Sequence, residues 1–272
     1  MREITIHTLG EFIDQLTPAA PDPETGRRRD TGVYHGATEA DAALLTSLDR
    51  LGGTTPPHTK RELEEHIFRN FLRYSRPYLP ASLTNDWELL VAAQHHGVPT
   101  RLLDWTYSPL VAAFFATRPG SRHTWALPEP SVEQPRAIWR LDWHALHDAF
   151  KVPRLALRIE ELGKAFQHES LTPWELFNTN AEERTFACLI EPPSLDARVV
   201  AQAAAFTLCT STTESFDQFL DKHHLNEALT KFIIPGETVA RVRDQLDLVG
   251  IDERHLFPDL DGVSATLRRY YM

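Results

Sequence analysis

Residues 94–116 read QHHGVPTRLLDWTYSPLVAAFFA, and the way this stretch divides decides the fold. Val98 precedes Pro99, which pushes it out of the helical region, so VPTRLLDWT is extended. Ser108 followed by Pro109 suits a helix start, with a side-chain acceptor at the cap and a pre-set φ behind it, so SPLVAAFFAT opens a helix. Upstream, NDWELLVAAQHHG begins a helix at Thr84 or Asn85 and ends it at Gly97. Helix, turn, strand and helix therefore follow one another directly. The strand carries Arg101 and Asp104, and charged side chains are almost never buried alone. Either the two brace each other or they serve a site.

Working outward, Ile4 and Ile6 alternate as a strand and Phe12, Ile13 and Leu16 follow at helical spacing. Residues 17–31, with the run PAAPDPETGRRRD, form a mobile loop whose three arginines are a solvated charge run. Val33 and Tyr34 are a strand with His35 and Gly36 at its end. Leu63, Ile67, Phe68, Phe71 and Leu72 give a core-facing helix over 59–78, with Thr59 and Glu62 at capping-box spacing and Pro77 and Pro80 at its close. Beyond the central block, RAIWRLDW is a strand and WHALHDAF a short helix. ERTFACLIEPP is a strand, and LDARVVAQAAAFTLCTS another with Phe206 and Leu208 alternating. Lys231–Ile234 is a strand, Thr238–Leu248 a helix stopped by Gly250, and the chain closes in a further helix. Strands and helices intermix without βαβ regularity, so the fold class is α+β, with small antiparallel sheets and flanking helices. No repeat or composition break divides residues 1–272, which read as a single domain.

The chain has 272 residues, 42% of them hydrophobic and 24% charged, ordinary values for a folded protein with a sizeable core. A net charge of −10 argues against sequence-independent binding along a nucleic-acid backbone, which draws its affinity from Lys and Arg. No apolar run is long enough for a membrane span and MREITIHTLGEF is not a signal pattern, so a cytoplasmic protein is expected. Cys188 and Cys209 are too few for a disulfide framework or a Cys-rich zinc site and read as buried small hydrophobes.

YHG at 34–36, the 94–116 block, RVVAQAAAF at 198–206, KFIIP at 231–235 and LDLVGIDERHLFPDLDG resemble the FRG domain, a bacterial and phage-associated family. The resemblance runs from Tyr34 to Leu267. The family usually has Arg where His35 stands, and Gly where Ala204 stands. An aromatic, His, Gly triplet is in turn similar to the opening motif of ADP-ribosyltransferases of the His-Tyr-Glu type, whose fold splits into small sheets. In those proteins a second strand runs into a helix that begins with a hydroxyl residue, and a later strand supplies Glu or Gln. That order is similar to His35, then DWTYSPLVAAFFA, then Gln202.

The resemblance implies NAD as co-substrate, no metal, and a macromolecular acceptor, protein, RNA or DNA, with a role in phage defence or as a toxin. It implies His35, Tyr107 and Gln202 as catalytic, with Tyr34, Gly36, Arg101, Asp104, Trp105, Ser108 and Phe206 around the dinucleotide. Cleaving the nicotinamide–ribose bond passes through an oxocarbenium-like state, so positioning and electrostatics matter more than a strong nucleophile. His35 would hydrogen-bond ribose or amide, and Gly36 would admit the nicotinamide to the backbone. Trp105 or Tyr107 would stack on the ring, Ser108 would orient ribose or phosphate, and Arg101 would meet the pyrophosphate with Asp104 holding its fork. A neutral Gln202 stabilises positive charge less than a carboxylate, which Glu182, Glu183 or Glu191 could supply. The arrangement requires His35 and Gln202 to face one cleft.

Other readings stand beside this one. A non-catalytic module that binds a nucleotide or partner fits the neutral Gln202. Arg101 and Asp104 as a structural pair is an equal alternative to the phosphate role. His95 and His96 end a helix, where they satisfy terminal carbonyls; adjacent histidines diverge, so even with His223 and His224 a metal hydrolase has no ligand spacing to support it. PDLDG at 258–262 reads as a turn.

Overall fold

The computed structural model describes residues 1–55, 58–81, 83–118, 134–153, 155–162, 172–178 and 185–271. Glu182 and Glu183 lie outside the described residues. Eight strands are described: β1 (Arg2–Thr5), β2 (Val33–Ala37), β3 (Leu102–Thr106), β4 (Arg136–Leu141), β5 (Leu157–Arg158), β6 (Ala187–Glu191), β7 (Ala204–Cys209) and β8 (Leu229–Ile234). They form one sheet in the order β1-β8-β4-β2-β3-β7-β6-β5, antiparallel inside and parallel at the outer pairs β1–β8 and β5–β6. The α+β class stands, but the strands join one sheet rather than separate small ones, because β2 pairs with both β3 and β4.

The join is nonetheless narrow. β2 runs along β4 from Val33↔Leu141 to Ala37↔Ala137, and β3 along β7 from Leu102↔Leu208 to Thr106↔Ala204, whereas β2 and β3 pair only at Tyr34↔Thr106. Two four-strand halves thus meet at a seam with little ladder hydrogen bonding.

Side-chain alternation gives the sheet two buried faces. On the first, Val33, Leu103, Trp105, Trp139, Leu189 and Ala205 pack with Leu146 of α5 (Trp143–Phe150) and Phe219 of α8 (Phe216–Lys222). The second face is divided along the seam. Over the β2 half, Tyr34, Ile138 and Phe232 meet α1 (Leu9–Leu16), α4 (Pro109–Thr117) and α9 (Val239–Leu248). Over the β3 half, Leu102, Phe206 and Leu208 meet α2 (Lys60–Ser75), α3 (Asp86–His95) and α6 (Pro173–Asn178). Each large apolar side chain enclosed in this way contributes about 1.5–3 kcal/mol by leaving water.

The helix starts follow their caps. Thr59 accepts from the Glu62 N–H while Glu62 accepts from the Thr59 N–H, Asn85 accepts from Trp87, and Ser108 from Val111 behind Pro109. One expected strand is instead a helix and a strand: Asp196 caps α7 (Ala197–Ala201), and β7 begins only at Ala204. Gln202 therefore follows a helix rather than lying on a strand. Two short helices close the chain, α10 (Glu253–Leu256) and α11 (Leu260–Tyr270). No helix among the described residues is long and apolar enough to cross a membrane. Residues 17–31 carry no regular structure, and Asp30 ties their end to Arg140 and to the Tyr34 hydroxyl.

Gly36 fixes α4 on the sheet. A Cβ there would stand 2.1 Å from the Ala112 carbonyl oxygen and 2.6 Å from the Ala116 nitrogen. The space expected to admit a nicotinamide is filled by the helix backbone, so the missing side chain serves packing.

Candidate site at the seam

The 94–116 block proves to be a buried polar framework. Arg101, 2% exposed, does not pair with Asp104 as one reading expected. Its Nε donates to Glu64 Oε2 at 2.7 Å, its backbone N–H to Glu64 Oε1 at 2.8 Å, and its guanidinium lies 3.7 Å from the Phe177 ring centre. Glu64 is four residues before Phe68 and seven before Phe71, so it rides on the inward stripe of α2. That placement on an apolar stripe was the available signal for an ion pair. With both charges enclosed, Arg101 is a brace, and a pyrophosphate cannot reach it without breaking the pair.

Asp104 instead accepts from Gln94 Nε2 at 3.0 Å, and Gln94 Oε1 accepts from the Thr100 hydroxyl at 2.6 Å. Trp105 is buried, donating its indole N–H to Thr207 at 3.0 Å, and Phe206 packs in the β3-half core. Tyr34 is buried, and its phenol is pushed up by burial and by Asp30. None of these three rings is open for stacking. Ser108 caps α4 through its side chain.

His35 sits at the seam on the first face, in the middle of β2 rather than at its end. Its Nδ1 lies 2.8 Å from the Asp104 carbonyl oxygen and so carries the proton, supplying a bond where the β2–β3 ladder lacks one. Its ring meets Trp105 edge-on. Beside it, Trp139 is its cross-strand partner, and the Trp139 indole N–H is buried with no acceptor among the described residues. The Lys231 ammonium lies 4.9 Å from the Trp139 ring centre and 3.6 Å from Glu3. Lys231 and Trp139 were not among the expected site residues; their pairing depends on the β4–β8 register, which joins segments far apart in sequence.

Gln202 is elsewhere. Its Nε2 donates at 3.0 Å to the carbonyl of Leu256, a residue of the core that covers the β2 half on the second face. His35 and Gln202 therefore do not share a cleft; the helix inserted at 197–201 turns Gln202 toward α10.

Tyr107 is partly exposed, and its hydroxyl donates to Glu191 Oε1 at 2.7 Å. Burial first, then Glu191, raises the phenol well above its ordinary range. Nearby in the chain, His95 Nε2 meets Asp196 at 2.7 Å. Desolvation keeps the His95 pKa below its usual value despite that carboxylate. The histidine pair was expected to serve helix-end carbonyls; His95 instead ties the end of α3 to the start of α7. Cys188 and Cys209 are both buried and point to opposite faces of the sheet. Among the described residues no group of three or more His, Cys, Asp or Glu side chains is placed to hold a metal ion.

Residues 30–124 match the FRG domain, a span running from Asp30 past α4 and taking in β2, the seam and the 94–116 block. The match supports the FRG reading for that part of the chain. No curated protein and no solved structure matches the chain.

Proposed function

We propose that this chain is a recognition module of FRG type that binds an anionic, acceptor-bearing ligand of the nucleotide class on the His35 side of the seam and does not break its glycosidic bond. One observation carries the reading: His35 and Gln202 lie on opposite faces of the sheet, so they cannot close on one ribose. Two donors on this face suit an anion: the Trp139 indole N–H, on the cross-strand neighbour of His35 and without an acceptor among the described residues, and one strand further the Lys231 ammonium, shared with Glu3. Calorimetry with NAD and ADP-ribose, run beside a nicotinamide-release assay, tests it. The expected result is heat of binding that Lys231→Ala weakens about tenfold, as for loss of one charge-assisted contact, with no nicotinamide released. Nicotinamide release abolished by His35→Ala would sink the proposal.

A second reading, ADP-ribosyl transfer to a macromolecule, is favoured by the Tyr107–Glu191 pair. Glu191 supplies there the carboxylate that Gln202 lacks, against a tyrosine the resemblance implies to be catalytic. In this form Gln202 is structural. Transfer of label from NAD that Glu191→Gln removes, and Gln202→Ala leaves in place, would establish it over the first reading.

A further inference from the structure

Residues 66–85 contain no Asp or Glu, in a chain whose acidic residues number 38, and they carry Arg69, Arg73 and Arg76. The three follow at steps of four and three along α2, with Arg76 still in helical geometry at its C-cap. That spacing sets them in one stripe on the side opposite Glu64, Phe68 and Phe71, which face the core. All three are exposed, and among the described residues none of them meets a carboxylate. Glu62, two turns ahead of Arg69 on the same side, is taken up by Thr59. Two tyrosines accompany the stripe. Tyr74, 66% exposed, stands on its flank with the Arg73 guanidinium 5.2 Å from the ring centre, and Tyr78, 85% exposed, follows just past the helix. A cation in the last turn suits the helix dipole, but Arg69 lies outside that turn and the dipole has no use for exposed tyrosines.

We infer that this stripe docks a single-stranded polynucleotide, with the arginines on its phosphates and the tyrosines stacked on its unpaired bases. Along the helix axis the arginines stand about 6 and about 4.5 Å apart, so their long side chains reach separate phosphates of one strand. An exposed ring beside a guanidinium holds a base and its phosphate together. An anionic membrane would call for apolar side chains next to the cations, and Phe68, Phe71 and Leu72 are turned to the core. An acidic peptide matches the charge but has no ring faces to stack, and a duplex keeps its base faces covered. The net charge of −10 repels a phosphate backbone elsewhere on the molecule, so contact is confined to the stripe and affinity is low. Neither kind of contact reads the 2′-hydroxyl, so DNA and RNA bind alike. Helix α2 lies on the second face and His35 on the first, which makes this docking independent of any ligand at the seam.

Fluorescence anisotropy of a labelled oligothymidylate of about fifteen nucleotides, titrated with the full 272-residue chain, tests the docking. The expected dissociation constant is about 1–100 µM at about 50 mM salt, with a log–log salt slope of about −2, as for three phosphates on a single strand. Oligouridylate binds within about threefold of this, and a blunt duplex binds at least about threefold more weakly despite its higher charge density. Arg69→Gln and Arg73→Gln each weaken binding by about threefold to tenfold and flatten the slope by about 0.7. Tyr78→Ala weakens it about fivefold or more, and Tyr78→Phe stays within about twofold of the parent. Circular dichroism is unchanged in all four variants, because the side chains are exposed. No binding up to about 200 µM, an affinity indifferent to the arginines, or Tyr78→Ala at parent affinity overturns the inference. So does displacement by polyglutamate of equal charge, or by phosphatidylserine vesicles, that matches displacement by unlabelled oligothymidylate.

Discussion

Glu64→Gln tests whether the central block is a brace or a binding surface. The Glu64 carboxylate meets three donors: Oε1 takes the Arg101 backbone N–H at 2.8 Å, and Oε2 takes Nε at 2.7 Å and lies 2.6 Å from Nη2. Arg101 and Glu64 are 2% and 1% exposed, so water cannot replace what is lost. Glutamine keeps one carbonyl oxygen and turns an amide donor toward the guanidinium, leaving a buried cation without its counter-charge. Removing one partner of a buried pair costs about 3–5 kcal/mol, because the remaining charge stays desolvated. For a chain of this size that corresponds to a fall in Tm of about 6–20 °C. Urea unfolding reads the loss as a lower midpoint at constant m-value. Adding Arg101→Met removes the stranded charge while the glutamine oxygen still accepts from the residue 101 N–H, and Met packs on Phe177; the double variant recovers at least about half the loss. A Glu64→Gln variant within about 1 kcal/mol of the parent would refute the reasoning, since such a value fits a solvated, surface-type pair.

Three further outcomes follow from the same structure. Gly36→Ala forces α4 backbone atoms away from the sheet and lowers stability by about 1–3 kcal/mol in urea; a variant of parent stability that loses only ligand binding would return Gly36 to the ligand. His147 is fully buried, with Nδ1–H donating to the Pro153 carbonyl and Nε2 accepting from the Leu189 N–H, and burial lowers its pKa below the ordinary 6.5. The unfolded chain binds this proton more readily, so stability is full above about pH 6.5 and falls as pH drops below it, with His95 and His223 acting in the same direction. Urea midpoints that stay level or rise between pH 7.5 and 5.5 would contradict this. Burial pushes the Cys209 thiol up to about 12 and the Cys188 thiol higher still, so a thiol reagent at pH 8 labels both only after unfolding; rapid labelling of the native chain would contradict the packing.

What the sequence determined by itself was local. Val98-Pro99, Ser108-Pro109, Asn85, and the Thr59–Glu62 box act within a turn or two of chain, so the helices and strands of the 94–116 block and its neighbours were legible, as was the α+β class. Asp196 was legible in the same way as a cap, yet Phe206 and Leu208 drew the strand back over it and carried Gln202 onto the wrong element. Partners across the fold were not legible. Arg101 had a carboxylate three residues away in Asp104 and took Glu64, because Asp104 is taken up by Gln94 while α2 delivers Glu64 directly onto Arg101. The row His35, Trp139, Lys231 across three strands, and the separation of His35 from Gln202, depend on strand order and on which face each residue occupies. A one-residue change in where a strand begins reverses that face, so tertiary packing alone decided which of these side chains stand together.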